Sequence, residues 1–198
     1  MIAYNAGVIA EAVNGRLCAG SPETLASGGV CTDTRQLAEG CLFVALVGER
    51  FDAHDYLSEA VAGGARVLMV SRVPDGFEAG GAAVIEVPDT LVGLQRLARW
   101  YRCQLGTPTV GITGSNGKTS TKDFTASVLR QRFKVNATKG NFNNHIGLPL
   151  SVLATEEDDE VCVFEMGMNN PGEIAPLCEI AKPHVAIVTN IGTAHIEN

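Results

Sequence analysis

The stretch Gly111-Ile112-Thr113-Gly114-Ser115-Asn116-Gly117-Lys118-Thr119-Ser120 decides the fold predicted for this sequence. Residues 109–113 are predicted to form a strand, and a helix is predicted to begin near Lys118. Between them, glycines let backbone N–H groups approach a phosphate, and the helix N-terminus behind the loop favours negative charge. The stretch therefore predicts a phosphate-binding loop between a strand and a helix of an α/β domain.

The same loop carries the side chains that suit a nucleoside triphosphate. We expect Lys118 to reach the β- and γ-phosphates and the hydroxyl of Thr119 to contact Mg²⁺. The spacing departs from G-x-x-x-x-G-K-[ST], because position 112 is Ile and the preceding glycine is Gly111. A glycine-rich turn with an incidental lysine is the alternative. The predicted ATP-binding residues are Gly114, Ser115, Asn116, Gly117, Lys118, Thr119 and Ser120.

Strand and helix patterns alternate after this loop, which predicts a parallel sheet. Glu165 ends the apolar strand predicted over 161–165, and His195 follows the strand predicted over 185–190. Because the carboxyl ends of parallel strands meet at one edge of a sheet, both side chains could hold a metal ion beside the phosphate loop. A solvated glutamate and a structural histidine are the alternatives.

Two helices are predicted in this second half of the chain. A helix over 174–180 follows a Pro-Gly pair and precedes Pro183. In the helix that follows the phosphate loop, the spacing of the apolar residues predicts a single buried side. That side is predicted to contain Phe124, Val128, Leu129 and Phe133.

Residues 139–147 are polar, contain two glycines and show no apolar periodicity, so they are predicted to form a loop. Side-chain amides suit the recognition of sugar, peptide or phosphate groups. Ordinary turn chemistry is the alternative. The predicted substrate-binding residues in this loop are Asn141, Asn143 and Asn144.

The first half of the sequence has the pattern of a small α/β unit. Strands are predicted over 42–47, 66–70 and 82–87, with helices over 56–62 and from residue 89 or 90 to about 103. Its compact polar loop is Thr32-Asp33-Thr34-Arg35. Arg35 could pair bidentately with a diphosphate, and an ordinary surface arginine is the alternative.

The composition is that of one or two soluble globular domains, with 198 residues of which 45% are hydrophobic. A net charge of -7 without a basic run argues against nucleic-acid binding. The N-terminus lacks the features of a signal peptide, and no apolar stretch reaches the roughly 18 residues of a membrane span. The six cysteines form no C-x-x-C pair, which favours reduced thiols in the cytoplasm over a disulfide or zinc framework.

Several stretches together resemble the Mur ligase family, and they extend over nearly the whole chain. The segment at 140–149 is similar to the branch that adds D-alanyl-D-alanine, not the branch that adds the third stem residue. The stretches are TDTR at 32–35, GCLFVALVGERFDAHDY at 40–56, GITGSNGKTSTK at 111–122, GNFNNHIGLP at 140–149, EMGMNNPGEIAPL at 165–177 and NIGTAHIE at 190–197.

The resemblance implies an α/β protein in which residues 1–105 bind the UDP end of UDP-MurNAc-tripeptide. Residues 106–198 would be the first part of a parallel-sheet, phosphate-loop ATPase domain. The implied activity is a step of peptidoglycan synthesis with ATP and Mg²⁺ as cofactors. ATP would phosphorylate the terminal carboxylate of the tripeptide, and the amine of D-alanyl-D-alanine would attack the resulting acyl phosphate. We expect a monomeric, cytoplasmic protein.

The resemblance also implies roles for single residues. Lys118, Glu165 and His195 would be catalytic, with Thr119 serving one Mg²⁺ and Glu165 and His195 serving a second. Because family ligases carry further sequence and a third domain, we expect the chain to be an inactive N-terminal fragment. A complete non-catalytic nucleotide-binding module and a Mur-type ligase that adds a single amino acid are the alternatives.

Overall fold

The computed structural model describes residues 3–192. The chain divides into two compact units, Met1–Leu97 and Ala98–Asn198. No helix within residues 3–192 is long and apolar enough to cross a bilayer. The division falls inside the helix Thr90–Gln104, whereas the sequence prediction places this whole helix before a boundary at residue 105.

Short strands and helices alternate in the first unit. The strands are β1 (Tyr4–Asn5), β2 (Arg16–Ala19), β3 (Leu25–Ala26), β4 (Val30–Cys31), β5 (Leu42–Val44), β6 (Val67–Val70) and β7 (Ala83–Glu86). The helices are α1 (Ala6–Val13), α2 (Leu57–Ala62) and α3 (Thr90–Gln104), and short 3-10 turns occupy Thr34–Gln36 and Ala53–Tyr56. The side chains of Asn5 and Asp89 accept hydrogen bonds from backbone N–H groups in the first turns of α1 and α3, which explains where these helices begin.

The main sheet of the first unit has the strand order β2-β7-β6-β5-β4, and β1 pairs separately with β3. β4 to β7 run parallel, while β2 is antiparallel to β7. Every residue of β5 and β6 is buried, as expected for parallel strands that are covered on both faces. The carboxyl ends of β4 to β7 therefore form one edge of this sheet.

The second unit contains a parallel sheet, which confirms the prediction. Its strands are β8 (Thr109–Thr113), β9 (Val135–Ala137), β10 (Val161–Glu165) and β11 (Val185–Val188), in the order β11-β8-β10-β9. Its helices are α4 (Lys118–Leu129), α5 (Gly147–Leu153) and α6 (Ile174–Ala181). Glu165 lies opposite Ile112, and Val188 lies opposite Thr113, so β8, β10 and β11 end at the same sheet edge.

The predicted buried side of α4 is wrong except at Leu129, which is partly buried and packs against the core of this unit. Phe124 and Val128 are 75% and 71% exposed, and Phe133 is also exposed. The buried residues of α4 are Lys122 and Ala126. A small residue at this position lets the helix pack closely on the sheet, and the lysine is accepted there because its ammonium group finds a carbonyl acceptor.

Arg102 attaches the C-terminal part of α3 to the second unit. Its guanidinium is buried and donates to the carbonyl oxygens of Ala181, Leu105 and Thr107 at 3.0, 2.9 and 2.9 Å. Buried carbonyl groups need such donors. These contacts explain why the compact units divide within α3 and not after it.

Replacement of Arg102 by methionine tests this attachment. We expect Arg102→Met to lower the free energy of unfolding by about 2 kcal/mol, because the buried carbonyls lose their donor. Arg99 lies on the same helix, but its side chain is 53% exposed and pairs with Glu179 at the surface. Arg99→Met should therefore change the free energy by less than about 1 kcal/mol. Equal midpoints for the two variants in urea unfolding would contradict the assignment.

Candidate nucleotide-binding site

The phosphate loop (residues 114–117) joins the carboxyl end of β8 to the first residue of α4. Gly114 and Gly117 have φ angles of 132° and 78°, which residues with a side chain rarely adopt. A Cβ atom added to Gly117 would meet no atom within 4 Å, so the space beside this glycine is open. The strand, loop and helix predicted from the sequence are thus present in the structure.

The backbone N–H groups of the loop form two sets. Those of Ser115 and Asn116 donate to the carbonyl oxygen and the Oδ1 atom of Asn190 at 3.1 and 2.9 Å. Among the described residues, none accepts a hydrogen bond from the N–H groups of residues 117–120. These groups lie at the N-terminus of α4, where the helix dipole also favours an anion. A phosphate group there would receive several backbone hydrogen bonds.

The side chain of Lys118 folds back over this loop. Its Nζ atom donates to the carbonyl oxygens of Gly114 and Ser115 at 2.7 and 3.2 Å. The ammonium charge therefore lies at the loop whose later N–H groups have no acceptor within residues 3–192. Thr119 and Ser120 are exposed in the first turn of α4. Their predicted roles in binding ATP and Mg²⁺ stay predictions.

Glu165 ends β10 as a buried carboxylate, only 2% exposed. Its N–H donates to the hydroxyl of Thr138 at 3.0 Å, and its Oε1 atom accepts a hydrogen bond from Nδ2 of Asn143 at 2.8 Å. Its Oε2 atom is buried and has no hydrogen-bond partner among the described residues. A buried polar atom without a partner costs about 1–3 kcal/mol, so this oxygen favours a cation.

The unpaired Glu165 oxygen fits Mg²⁺, a hard cation that prefers oxygen ligands. Thr119 could supply a hydroxyl oxygen from α4. His195, the other predicted metal ligand, lies outside the described residues. Within residues 3–192, no cluster of three or more His, Cys, Asp or Glu side chains could hold a metal ion. Mg²⁺ is commonly held through one or two carboxylates together with phosphate and water oxygens, and a carboxylate beside a phosphate loop suits this kind of site.

The three asparagines predicted to bind substrate occupy different positions. Asn143 reaches Glu165, as described above. Asn144 accepts hydrogen bonds through Oδ1 from the N–H groups of Ile146 and Gly147 at 3.1 and 2.8 Å, and so shapes the start of α5. Asn141 is exposed. The structure thus brings Asn143 into the candidate site, and substrate binding by these residues stays a prediction.

Two buried polar residues that support this site, Lys122 and Thr138, were not predicted from the sequence. Lys122 is 5% exposed, and its Nζ atom donates to the carbonyl oxygen of Thr138 at 3.0 Å. The hydroxyl of Thr138 in turn accepts the N–H of Glu165. The helix that begins at the phosphate loop is thereby linked to the strand that carries the carboxylate. The one sequence signal was the position of Lys122, one helical turn after Lys118.

The predicted substrate residues of the first unit lie after β4, at the carboxyl edge of its sheet. The Arg35 guanidinium binds the Asp33 carboxylate, with Nε–Oδ1 and Nη2–Oδ2 distances of 2.9 and 2.6 Å. This pairing lowers the pKa of Asp33 to about 2, so the carboxyl group is ionised at neutral pH. Asp33 also caps the 3-10 turn that begins at Thr34. Because the Arg35 side chain is 84% exposed, a diphosphate could reach it by displacing Asp33.

A second polar cluster fixes neighbouring loops at the same sheet edge. Buried His54 approaches Oδ1 of Asp52 through Nδ1 at 2.6 Å, and its Nε2 atom accepts the N–H of Ser71 at 2.9 Å. Asp52 also accepts a hydrogen bond from Arg72 at 2.8 Å. The loop after β5 and the residue after β6 are therefore held together. Local sequence patterns did not predict this cluster, because Ser71 and Arg72 follow a different strand from Asp52 and His54.

Comparison with known proteins identifies the family. Residues 112–198 match the family model of the Mur ligase middle domain. Over 191 residues the chain is 50% identical to the UDP-N-acetylmuramoyl-tripeptide–D-alanyl-D-alanine ligase of Bacillus subtilis (strain 168), covering 96% of this chain and 41% of that protein. The chain belongs to the Mur ligase family. It spans about two fifths of the length of the curated relatives that it matches.

Solved Mur ligase structures share the fold of the chain. MurF from Acinetobacter baumannii superposes with a TM-score of 0.89 at 36% identity, covering 98% of this chain and 42% of that structure. MurF ligase from Thermotoga maritima in complex with ADP gives a TM-score of 0.76 at 37% identity, covering 85% of this chain and 39% of that structure. The α/β fold predicted from the sequence is thus confirmed by these Mur ligases.

Proposed function

We propose that this Mur ligase chain contains the ATP-binding and UDP-precursor-binding parts of an amide ligase that joins D-alanyl-D-alanine to UDP-MurNAc-tripeptide. One observation carries the proposal. Three groups follow parallel strands that end at one sheet edge: the N–H groups at the start of α4, the Lys118 ammonium and the Glu165 Oε2 atom. The N–H groups and this oxygen have no hydrogen-bond partner in the described part of the chain. The 50% identity with the Bacillus subtilis ligase supports the choice of substrates.

The proposed reaction forms one amide bond per ATP. The γ-phosphoryl group passes to the terminal carboxylate of the tripeptide, which releases ADP. The amine of D-alanyl-D-alanine then attacks the carbonyl carbon, phosphate leaves, and the nitrogen loses a proton. Such phosphoryl transfer depends mainly on positioning and on neutralisation of charge.

The residues of this chain suit that requirement. The N–H groups of residues 117–120 hold the phosphates, and Lys118 offsets their negative charge. Glu165, whose carboxylate is oriented by Asn143, would hold Mg²⁺. Bound Mg²⁺ supplies further neutralisation of the phosphate oxygens. Backbone and carboxylate groups fixed before binding lose little freedom on the reaction path.

The carboxyl edge of the first sheet binds the UDP end of the precursor in this proposal. Parallel α/β sheets bind ligands at this edge, and Asp33, Thr34 and Arg35 lie there. The six cysteines are all free thiols, which is compatible with a reducing cytoplasm.

A substitution of Arg35 tests the UDP assignment. We expect Arg35→Ala to weaken the binding of UDP-MurNAc-tripeptide about tenfold, because a bidentate contact to the diphosphate is lost. Arg66→Ala is the matched control, since Arg66 is exposed and precedes β6 at the opposite edge of the sheet. Calorimetric titration measures both affinities. If Arg35→Ala binds as tightly as Arg66→Ala, the residue assignment is wrong.

The ligase activity is tested with a whole ligase that contains this sequence, because the chain itself spans about two fifths of the length of its curated relatives. Incubation with ATP, Mg²⁺, UDP-MurNAc-tripeptide and D-alanyl-D-alanine should release ADP and increase the precursor mass by one dipeptide residue unit, as read by mass spectrometry. If the enzyme instead adds a single amino acid under the same conditions, D-alanyl-D-alanine is not its substrate. Nucleotide binding without any amide formation would favour a non-catalytic module.

A further inference from the structure

The residues that follow β11 lie against the phosphate loop, and we call residues 189–192 the clamp segment. Oδ1 of Asn190 accepts the N–H of Asn116 at 2.9 Å, and Oγ1 of Thr189 donates to the carbonyl oxygen of Asn116 at 2.6 Å. The N–H of Gly192 donates to Oγ of Ser115 at 2.9 Å. These hydrogen bonds hold the peptide groups on both sides of Asn116.

The clamp segment also approaches the loop too closely for an intervening side chain. A Cβ atom added to Gly114 would lie 2.2 Å from Oγ1 of Thr189 and 2.9 Å from the carbonyl oxygen of Asn190. Such distances are far below van der Waals contact, so only glycine permits this packing. The start of the loop is therefore shaped directly on the clamp segment.

The hydrogen bond from Thr189 to the carbonyl oxygen of Asn116 also determines where the N–H of Gly117 points, because both groups belong to one planar peptide. In a trans peptide, the C=O of Asn116 and the N–H of Gly117 point in opposite directions. Because the Thr189 hydroxyl holds this carbonyl, the N–H of Gly117 points away from the clamp segment. Gly117 has a φ angle of 78° and few steric restraints of its own, so without the clamp this peptide could rotate.

We propose that Asn190 and Thr189 are positioning residues that set the phosphate loop for nucleotide binding without touching the nucleotide. Asn190 accepts a hydrogen bond from the N–H of Asn116. Thr189 donates to the carbonyl oxygen of Asn116 and so orients the next peptide group with the N–H of Gly117 towards the anion. The anion site then consists of the N–H groups of residues 117–120. Donors fixed in advance lose less conformational freedom on binding. This inference rests on the proposed function, because it takes the loop to bind phosphates.

Amide hydrogen exchange in the absence of nucleotide tests the clamp itself. Asn190→Ala should raise the exchange rate of the Asn116 amide about fivefold to tenfold, the loss expected for one hydrogen bond. Asn190→Asp keeps an oxygen acceptor and should restore slow exchange. Val185→Ala changes an exposed residue at the other end of β11, and the Asn116 amide should exchange in this variant at the wild-type rate. Unchanged exchange in Asn190→Ala would overturn the proposal.

ADP titration with Mg²⁺ then tests the consequence for binding. Asn190→Ala and Thr189→Val should each weaken ADP binding about tenfold, while Val185→Ala binds normally. Thr189→Val nearly keeps the side-chain shape and supplies the measurement if Asn190→Ala does not fold. Wild-type affinity in Thr189→Val would overturn the positioning role. Failure of the wild-type chain to bind ADP would instead overturn the proposed function, and the exchange experiment would still decide whether the clamp holds the loop.

Discussion

Lys118→Met is expected to weaken ATP binding about 100-fold while the protein stays folded. The methionine keeps the aliphatic stem but removes the ammonium group, which donates to Gly114 and Ser115 beside the free N–H groups of the loop. Charge-assisted hydrogen bonds contribute about 1.5–3 kcal/mol, and about 2.7 kcal/mol corresponds to a factor of 100. Calorimetric titration with ATP and Mg²⁺ measures the loss.

A second lysine of the same unit provides the control. Lys134 precedes β9 at the amino edge of the sheet, where it pairs with Glu156 and Asp158 at the surface. Lys134→Ala removes an equal charge from the unit and should leave the ATP affinity unchanged. If Lys118→Met and Lys134→Ala bind ATP equally well, the assignment of Lys118 to the triphosphate is wrong.

The sequence predicted the elements around the phosphate loop accurately, because local patterns determine them. β8 and β10 match the predicted ranges 109–113 and 161–165 residue for residue, and α4 begins at Lys118 as expected. β10 is a short apolar run that ends in a glutamate, and β8 is rich in β-branched residues. The glycines of the loop adopt dihedral angles that end β8 before the helix. Patterns within a few residues were sufficient here.

Several short strands of both units were not predicted, because they depend on distant partners. β2 is partly exposed and pairs with β7, so that Arg16 lies opposite Glu86 across 70 positions of sequence. β9 has only three residues, all of intermediate exposure. Such strands lack a strong apolar pattern of their own, and pairing alone defines them.

The buried side of α4 shows a different limit of sequence patterns. Its large apolar residues suggested the inner side, yet the structure buries Ala126 and Lys122, and only Leu129 of the predicted set packs against the core. Apolar periodicity identifies a helix, but close packing against a sheet selects side chains by size and by available hydrogen bonds. The carbonyl of Thr138 that accepts the Lys122 ammonium lies 16 positions away and left no local signal.

The candidate site was predicted in part. The phosphate loop and Glu165 were found from their places at strand ends, and the structure adds the contact of Glu165 with Asn143. The clamp segment was missed as a support of the loop, because its contacts bridge more than 70 positions. The metal role of His195 and the substrate roles of Asp33, Thr34 and Arg35 stay predictions.

Glu165→Gln is expected to abolish the gain in ATP affinity that Mg²⁺ provides. The amide keeps the size of the side chain and an oxygen that can accept from Asn143, but it replaces the unpaired carboxylate oxygen by an NH₂ group, which cannot bind a cation. Titrations with ATP in Mg²⁺ and in a chelator measure this gain. We expect a gain of about tenfold or more in the wild type, since a cation held by the carboxylate would neutralise phosphate charge, and none in the variant.

The unfolding temperature provides a second, independent reading of the same carboxylate. Without Mg²⁺, Glu165→Gln should unfold at the wild-type temperature or higher, because a buried charge with an unpaired oxygen has been removed. Glu160→Gln is the matched control: it precedes the same strand at the opposite sheet edge, where it is exposed. It should keep the full response to Mg²⁺. A normal Mg²⁺ response in Glu165→Gln would show that the cation binds elsewhere and that the unpaired oxygen needs another partner.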